Sequence, residues 1–224
     1  MLSAEFFWHR LIPALNEGLV FSLSLILPSA VLGFMAGVAV GVARVYAPIP
    51  LRRAADGYVA LLRGVPLLLQ LYFLYYALPQ WLQIRLSPYQ AAVLGFVLCS
   101  AAYHSEYIRG ALLSIRRGQI LAAYSLGFST LDMAVAVAVP QALRRALPGC
   151  GNEIIYLIKY SSLAYLLTFI ELTGTAKELA SRTFNYTEIY FTAGLYYLAL
   201  VTLATWLLRW CERRAFIPGF GEKT

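Results

Sequence analysis

Long apolar runs set the pattern of this chain. Residues 18–43, 64–84, 86–105 and 189–208 contain no Asp, Glu, Lys or Arg. Each approaches or exceeds the roughly 20 residues an α-helix needs to cross a hydrocarbon core. A fifth run, residues 154–170, is shorter and interrupted by Lys159. These runs predict an all-α transmembrane fold, one domain over residues 1–224, with spans over about 16–43, 54–80, 87–112, 150–171 and 187–210. A loop over about 115–147 separates the third span from the fourth.

That loop is the one ambiguous stretch. Between Gly118 and Leu143 the only charged residue is Asp132, so hydropathy alone would allow another span there. The apolar run from Met133 to Val139 stops at Pro140 after seven residues, and the segment before it holds Gly118, Gln119, Ser125, Gly127, Ser129 and Thr130. The expected form is a short helix, a turn near residues 127–130 and a second short helix, lying on the inner face with apolar sides against protein.

Composition agrees with a lipid environment. Of 224 residues, 60% are hydrophobic and 13% charged, against roughly a quarter charged in a soluble domain. Residues 1–10 contain Glu5, His9 and Arg10 and do not read as a cleaved leader, so the first span is expected to stay in the protein.

Charge placement gives an orientation. With the N-terminus outside, inner segments hold Arg44, Arg52, Arg53, Arg109, Arg116, Arg117, Arg144, Arg145, Arg209, Arg213, Arg214 and Lys223, twelve in all, and outer segments hold the four Arg10, Arg85, Lys177 and Arg182. Lipid-facing topology with a cytoplasmic C-terminus in a bacterial inner membrane accounts for the net charge of +7, so no nucleic-acid partner is expected. Cys99, Cys150 and Cys211 show neither disulfide nor metal spacing. No metal, cofactor or catalytic constellation is expected, and the two His and two Asp argue against a membrane enzyme.

The loop stretch and four further segments carry a resemblance. Residues 114–149, SIRRGQILAAYSLGFSTLDMAVAVAVPQALRRALPG, resemble the cytoplasmic coupling loop of ABC importer permeases, whose pattern is Glu-Ala-Ala, three residues, Gly, and later Ile-x-Leu-Pro. Here Ala122, Ala123, Gly127 and Val137-Ala138-Val139-Pro140 fit, and Leu121 stands where the family usually has Glu. Residues 63–79 (RGVPLLLQLYFLYYALP), 103–119 (YHSEYIRGALLSIRRGQ), 152–163 (NEIIYLIKYSSL) and 171–190 are similar to segments of the polar amino-acid, histidine/glutamine-permease-like branch.

The resemblance implies a five-helix type I ABC importer permease fold with a cytoplasmic coupling helix. It implies a subunit that forms the pathway for a small polar solute, an amino acid or close derivative. The partners it implies are two ABC ATPase subunits beneath the permeases and an extracytoplasmic solute-binding protein docking on residues 79–88 and 172–188. Five spans cannot enclose a hydrophilic path alone, so a second permease subunit, identical or related, is expected. No phosphate-binding Gly-x-x-x-x-Gly-Lys-Ser/Thr occurs, and residues 221–224 are only a superficial echo of it. ATP hydrolysis is therefore expected on a separate chain. The rival transporter class, an ion- or proton-coupled secondary carrier, would need internal repeats that the sequence does not display.

Candidate sites fall into two groups. Gln119, Leu121, Ala122, Ala123, Ser125, Leu126 and Gly127 are expected to dock on the ATPase, the alanines allowing close approach and Gly127 allowing the turn. For the pathway the candidates are Arg63, Gln70, Tyr103, Glu106, Lys159, Tyr160, Ser161 and Ser162, since ionisable groups within spans are costly unless paired or wetted. Arg63 reads as a gate, as a snorkelling side chain, or as a partner of Glu106. Glu106 reads as pairing with Arg109 three residues on, or as facing the pore with Tyr103 and His104. Lys159, with Tyr160, Ser161 and Ser162, is suited to a solute carboxylate, although relatives carry Asp or Asn at the Tyr160 position.

Overall fold

The computed structural model describes residues 4–215. Lys223 and the echo at residues 221–224 lie outside them. Eight helical elements follow one another among the described residues: α1 Ala4–Tyr46, α2 Ile49–Gly64, α3 Leu67–Leu82, α4 Pro88–Leu113, α5 Arg117–Ser125, α6 Thr130–Leu167, α7 Leu172–Thr183 and α8 Tyr186–Ala215. By length and composition α1, α4 and α8 are each fit to cross a membrane, and the number among the described residues rises to as many as five if each bent pair, α2 with α3 and α6 with α7, counts as one span.

Proline placement explains how such long helices persist. A proline inside a helix lacks an N–H and its ring crowds the carbonyl four residues back. Before Pro13, Pro79 and Pro140 the backbone widens into a π turn, over Phe7–Leu11, Phe73–Ala77 and Ala134–Ala138. In each case the residue preceding the proline donates its N–H five residues back, Ile12 to Phe7, Leu78 to Phe73 and Val139 to Ala134. The wider turn makes room for the ring, so the helix continues.

This changes the reading of the loop. The expected second short helix is the start of α6, which continues through Pro140 and Pro148 to Leu167. Pro140 does not end it because the π turn absorbs the clash. The second expected span is also interrupted. Val65 and Pro66 adopt extended backbone (ψ 133° and 135°), ending α2 and starting α3, as a residue preceding proline prefers.

Packing gathers the chain into two units. One takes α1 as far as Val31, α3, α4 as far as Val97, α6 from Ile155, α7, and α8 as far as Ala204. Its cores are built on Leu25, Leu71, Phe96, Leu157 and Leu167, and on Leu11, Leu15, Leu172 and Ile189. Here α6 tightens into a 3₁₀ turn over Ser161–Leu167 and stops at Thr168 (φ 65°), and α7 follows bent by 53°.

The other unit takes α1 from Leu32, α2, α4 from Leu98, α5, α6 as far as Ile154, and α8 from Thr205. Ile108, Leu112, Ile115, Ala123, Met133, Ala138, Ala142 and Ala146 form its core. Small residues bring its helices close, since a side chain at Gly37 or Gly41 on α1 would meet His104 or Ile108 on α4. Apolar residues of α8 such as Phe191, Leu198, Leu203 and Trp206 stand outward, as a lipid-facing helix requires.

Candidate functional site

Three groups of side chains carry chemistry, each within one packing unit. The first is an alternating cluster of charges. Arg44, in the last turn of α1, sends Nε to Asp56 Oδ1 (2.7 Å) on α2 and Nη1 to Glu106 Oε1 (2.9 Å) on α4. Nη1 also donates to Ser105 Oγ at 3.3 Å. Arg63, in the last turn of α2, places Nη1 3.0 Å from the same Glu106 oxygen, and its guanidinium lies 5.3 Å from the ring centroid of Tyr103. A charged group within a span is tolerated when paired, and here two acids and two arginines neutralise one another.

This arrangement corrects one expectation and selects among others. No salt bridge joins Glu106 to Arg109 among the described residues, because the arginines of α1 and α2 reach its carboxylate first. Arg63 pairs with Glu106, as one of its three readings held. His104 does not face a pore beside Glu106. It is fully buried, its Nδ1 2.8 Å from the Ser100 carbonyl and its ring edge-on to Phe34. Neither Arg44 nor Asp56 was legible in the sequence as a member of this cluster, since Arg44 reads as an ordinary inner-flank charge until packing buries it.

The second group lies along α6. Lys159 is exposed, with Nζ 5.4 Å from the ring centroid of Tyr156, which stacks on Tyr160 at 5.9 Å. Ser161 and Ser162 turn their hydroxyls back onto the helix, donating to the carbonyls of Ile158 (2.8 Å) and Lys159 (2.7 Å). Of the expected constellation, Lys159 is exposed, Tyr160 is half-buried against the core, Ser161 is buried, and Gln70 sits buried in α3.

In the same unit the structure reveals a polar node that the sequence did not signal. Glu171, fully buried, caps α7 by accepting from the backbone N–H groups of Thr173 and Gly174 (both 3.0 Å) and from Ser22 Oγ (3.2 Å). Tyr197 on α8 donates to it as well (2.9 Å). A Glu just before a helix signals a cap, but its two side-chain partners, Ser22 and Tyr197, lie 149 and 26 residues away in sequence.

The third group is the α5 segment and the start of α6. Gly127 ends α5 with φ +86°, the Gly127 N–H donating to the Tyr124 carbonyl and the Phe128 N–H to that of Ala123, the paired closure of a glycine-terminated helix. Ser129 then caps α6 reciprocally with Asp132. Both ends are thus fixed by hydrogen bonds, which makes the connection a rigid corner.

The corner exposes apolar residues. Leu121, Leu126, Leu131 and Val135 are all more than half exposed, and Leu126, Gly127, Phe128, Asp132, Val135 and Ala136 line a groove of about 390 Å³. Ala122 and Ser125 are exposed too, Ser125 Oγ donating to the Leu121 carbonyl. Ala123 is not on that surface. It packs into the unit's own core with Met133, while Gln119 is half-buried with Oε1 unbonded among the described residues. Helical spacing accounts for this, since adjacent residues point about 100° apart and one of two alanines must face the chain.

Comparison with known proteins agrees with this architecture. The sequence profile of the family described as "Binding-protein-dependent transport system inner membrane component" matches residues 29–217. The nopaline transport system permease protein NocM of Agrobacterium fabrum is 37% identical, with 94% of this chain and 94% of that protein covered. The arginine transport system permease protein ArtQ of Bacillus subtilis is 34% identical, over 91% of this chain and 93% of its own. A solved amino acid ABC transporter, crystallised with histidines, superposes with a TM-score of 0.85 and 29% identity over 96% of this chain and 100% of the other. The fold is that of type I ABC importer permeases. This chain therefore belongs to the family of binding-protein-dependent transport system inner membrane components, as a multi-pass permease subunit.

Proposed function

We propose that this chain forms half of the translocation pathway of an ATP-driven importer for polar amino acids or close derivatives, and that the α5–α6 corner receives the stroke of a separate ATPase subunit. The observation that carries this reading is the corner itself, rigid at both caps and exposing Leu121, Leu126, Leu131 and Val135. An apolar surface of that kind on a stiff element requires a protein partner. The relatives' names, which refer to nopaline and arginine, support an amino-acid-like solute.

In this reading the N-terminus lies outside and the C-terminus inside, on the side of the arginine-rich segments. A second permease subunit completes the pathway. Two ATPases dock on the paired corners, and a solute-binding protein delivers cargo to residues 79–88 and 172–188. ATP binding closes the ATPases, the corners carry that motion into the helices, and the interface alternates between outward and inward access. Lys159, beside Tyr156 and Tyr160, offers the exposed cation that a solute carboxylate pairs with. Hydrolysis takes place on the partner chain.

Leu126→Glu and Leu131→Glu test the docking surface. Both positions are exposed, so the protein keeps its stability while the ATPase no longer co-purifies. Retained ATPase with either charge in place overturns the assignment. Uptake lost with a hydrolysis-dead ATPase while the proton gradient persists separates this reading from a secondary carrier, in which uptake survives.

A further inference from the structure

We propose that the Glu106 carboxylate and the Tyr103 ring form a binding site for a guanidinium-like organic cation, and that Arg63 occupies this site as a built-in stand-in which a cationic solute displaces. The proposal rests on the permease reading and adds to it the chemical class of solute group that the pathway accepts.

The two arginines on Glu106 Oε1 are held very differently. The Arg44 side chain is 7% exposed and fastened to Asp56 and Ser105 as well as to Glu106. It is part of the frame. The Arg63 side chain is 42% exposed and meets Glu106 through one nitrogen, with the Tyr103 face as its other contact. Its backbone is one residue from the end of α2, which breaks at Val65. Arg63 is therefore the member that can leave.

What remains when it leaves defines the ligand. Arg44, Asp56 and Glu106 carry one positive and two negative charges, so the vacated position is left one positive charge short. A carboxylate beside an aromatic face attracts a flat cation through both its charge and the ring's quadrupole. Both arginines approach the Glu106 carboxylate at Oε1, so a planar fork of N–H donors can take Oε2 as its second acceptor. The side chain now in place has the chemistry of the group that would replace it. Occupation by Arg63 also means that the empty, binding-competent state is a minority, which weakens apparent affinity by that fraction.

The test uses the intact complex of permeases and ATPases, without its binding protein, and equilibrium dialysis of radiolabelled L-arginine and of L-citrulline, which bears a neutral ureido group instead. Arg63→Gln is expected to tighten arginine binding about tenfold, as for a site nine-tenths self-occupied, and to leave citrulline within twofold. Arg63→Lys, which keeps the charge balance needed for assembly, is expected to give a smaller gain of about threefold for arginine alone. Adding Glu106→Gln to either variant should abolish the gain. If arginine and citrulline shift together, or neither shifts in either variant, the site is a structural ion pair and the proposal falls. Co-purification of the ATPase, scored on the same samples, depends on the α5–α6 corner and not on Arg63, so its loss would count against the permease reading instead.

Discussion

The Tyr197 hydroxyl donates to the buried Glu171 carboxylate over 2.9 Å, and in the same position it lies 2.8 Å from Thr173 Oγ1. One phenol thus ties α8 to the first turn of α7, at a carboxylate that also accepts from Ser22 on α1. Tyr197→Phe leaves the fold's packing intact and removes one of four donors to Glu171. It is expected to cost about 1–2 kcal/mol, seen as a fall of about 3–6 °C in the melting temperature of the purified protein. Glu171→Gln, which turns an amide N–H₂ toward backbone N–H donors, should cost more.

Close approach of α1 to α4 gives a second prediction. A methyl at Gly37 would run into His104 Cβ and lie 3.0 Å from the Ala101 carbonyl, neither of which can move without the helix. Gly37→Ala is expected to destabilise by about 1–3 kcal/mol. At Gly151 the added methyl meets the tips of the Leu208 side chain, which is half-buried and can rotate away. Thermal unfolding of the two variants should show the larger loss for Gly37→Ala; the reverse order would mean that the α1–α4 backbone yields more easily than a leucine.

Gly127 and Gly118 separate conformation from space. An added Cβ at either position meets nothing within 4 Å, but Gly127 has φ +86° and Gly118 lies within the helical backbone of α5. Gly127→Ala should cost about 1 kcal/mol through the left-handed backbone alone, loosening the corner and lowering solute-stimulated ATP turnover. Gly118→Ala should be neutral or slightly stabilising. Equal behaviour of the two variants would rule out the corner's rigidity as the property that matters.

Leu121 stands at the Glu position of the coupling-loop pattern that this segment resembles, and it is 54% exposed. Leu121→Glu therefore has room for its charge, and the melting temperature should be unchanged within about 0.5 kcal/mol of stability. Any change belongs to the interface. Turnover of ATP in the assembled transporter is expected to rise if the leucine is the weaker contact, by about the 1–3 kcal/mol of a charge-assisted bond. A large loss of turnover would mean that the partner surface is matched to the apolar side chain.

Several features of this protein were legible in the linear pattern for reasons that act locally. Uninterrupted apolar runs must form helices in lipid, because no other hydrogen-bond partner exists there for the backbone. Gly127 as a turn follows from backbone freedom at a single residue, whereas the Ser129–Asp132 cap was first shown by the structure. Pro140 misled because its clash is local, but its remedy, a π turn over Ala134–Ala138, leaves no mark in composition.

Pairing across helices was decided elsewhere. Helical spacing offers Glu106 the nearby Arg109, three residues on, yet Arg44 takes its carboxylate where Gly37 and Gly41 let α1 approach α4 closely, and Arg63 joins it from α2. Glu171 finds Ser22 and Tyr197 at sequence distances of 149 and 26. Ala122 and Ala123 are equivalent as letters, and only packing turns one outward and buries the other. The sequence by itself determined that the chain is helical, which stretches are apolar enough to cross a membrane and where Gly127 turns the chain, since those depend on neighbours along the backbone. Which charges meet, and which of them is free to give way, depended on distances between helices that only the folded structure sets.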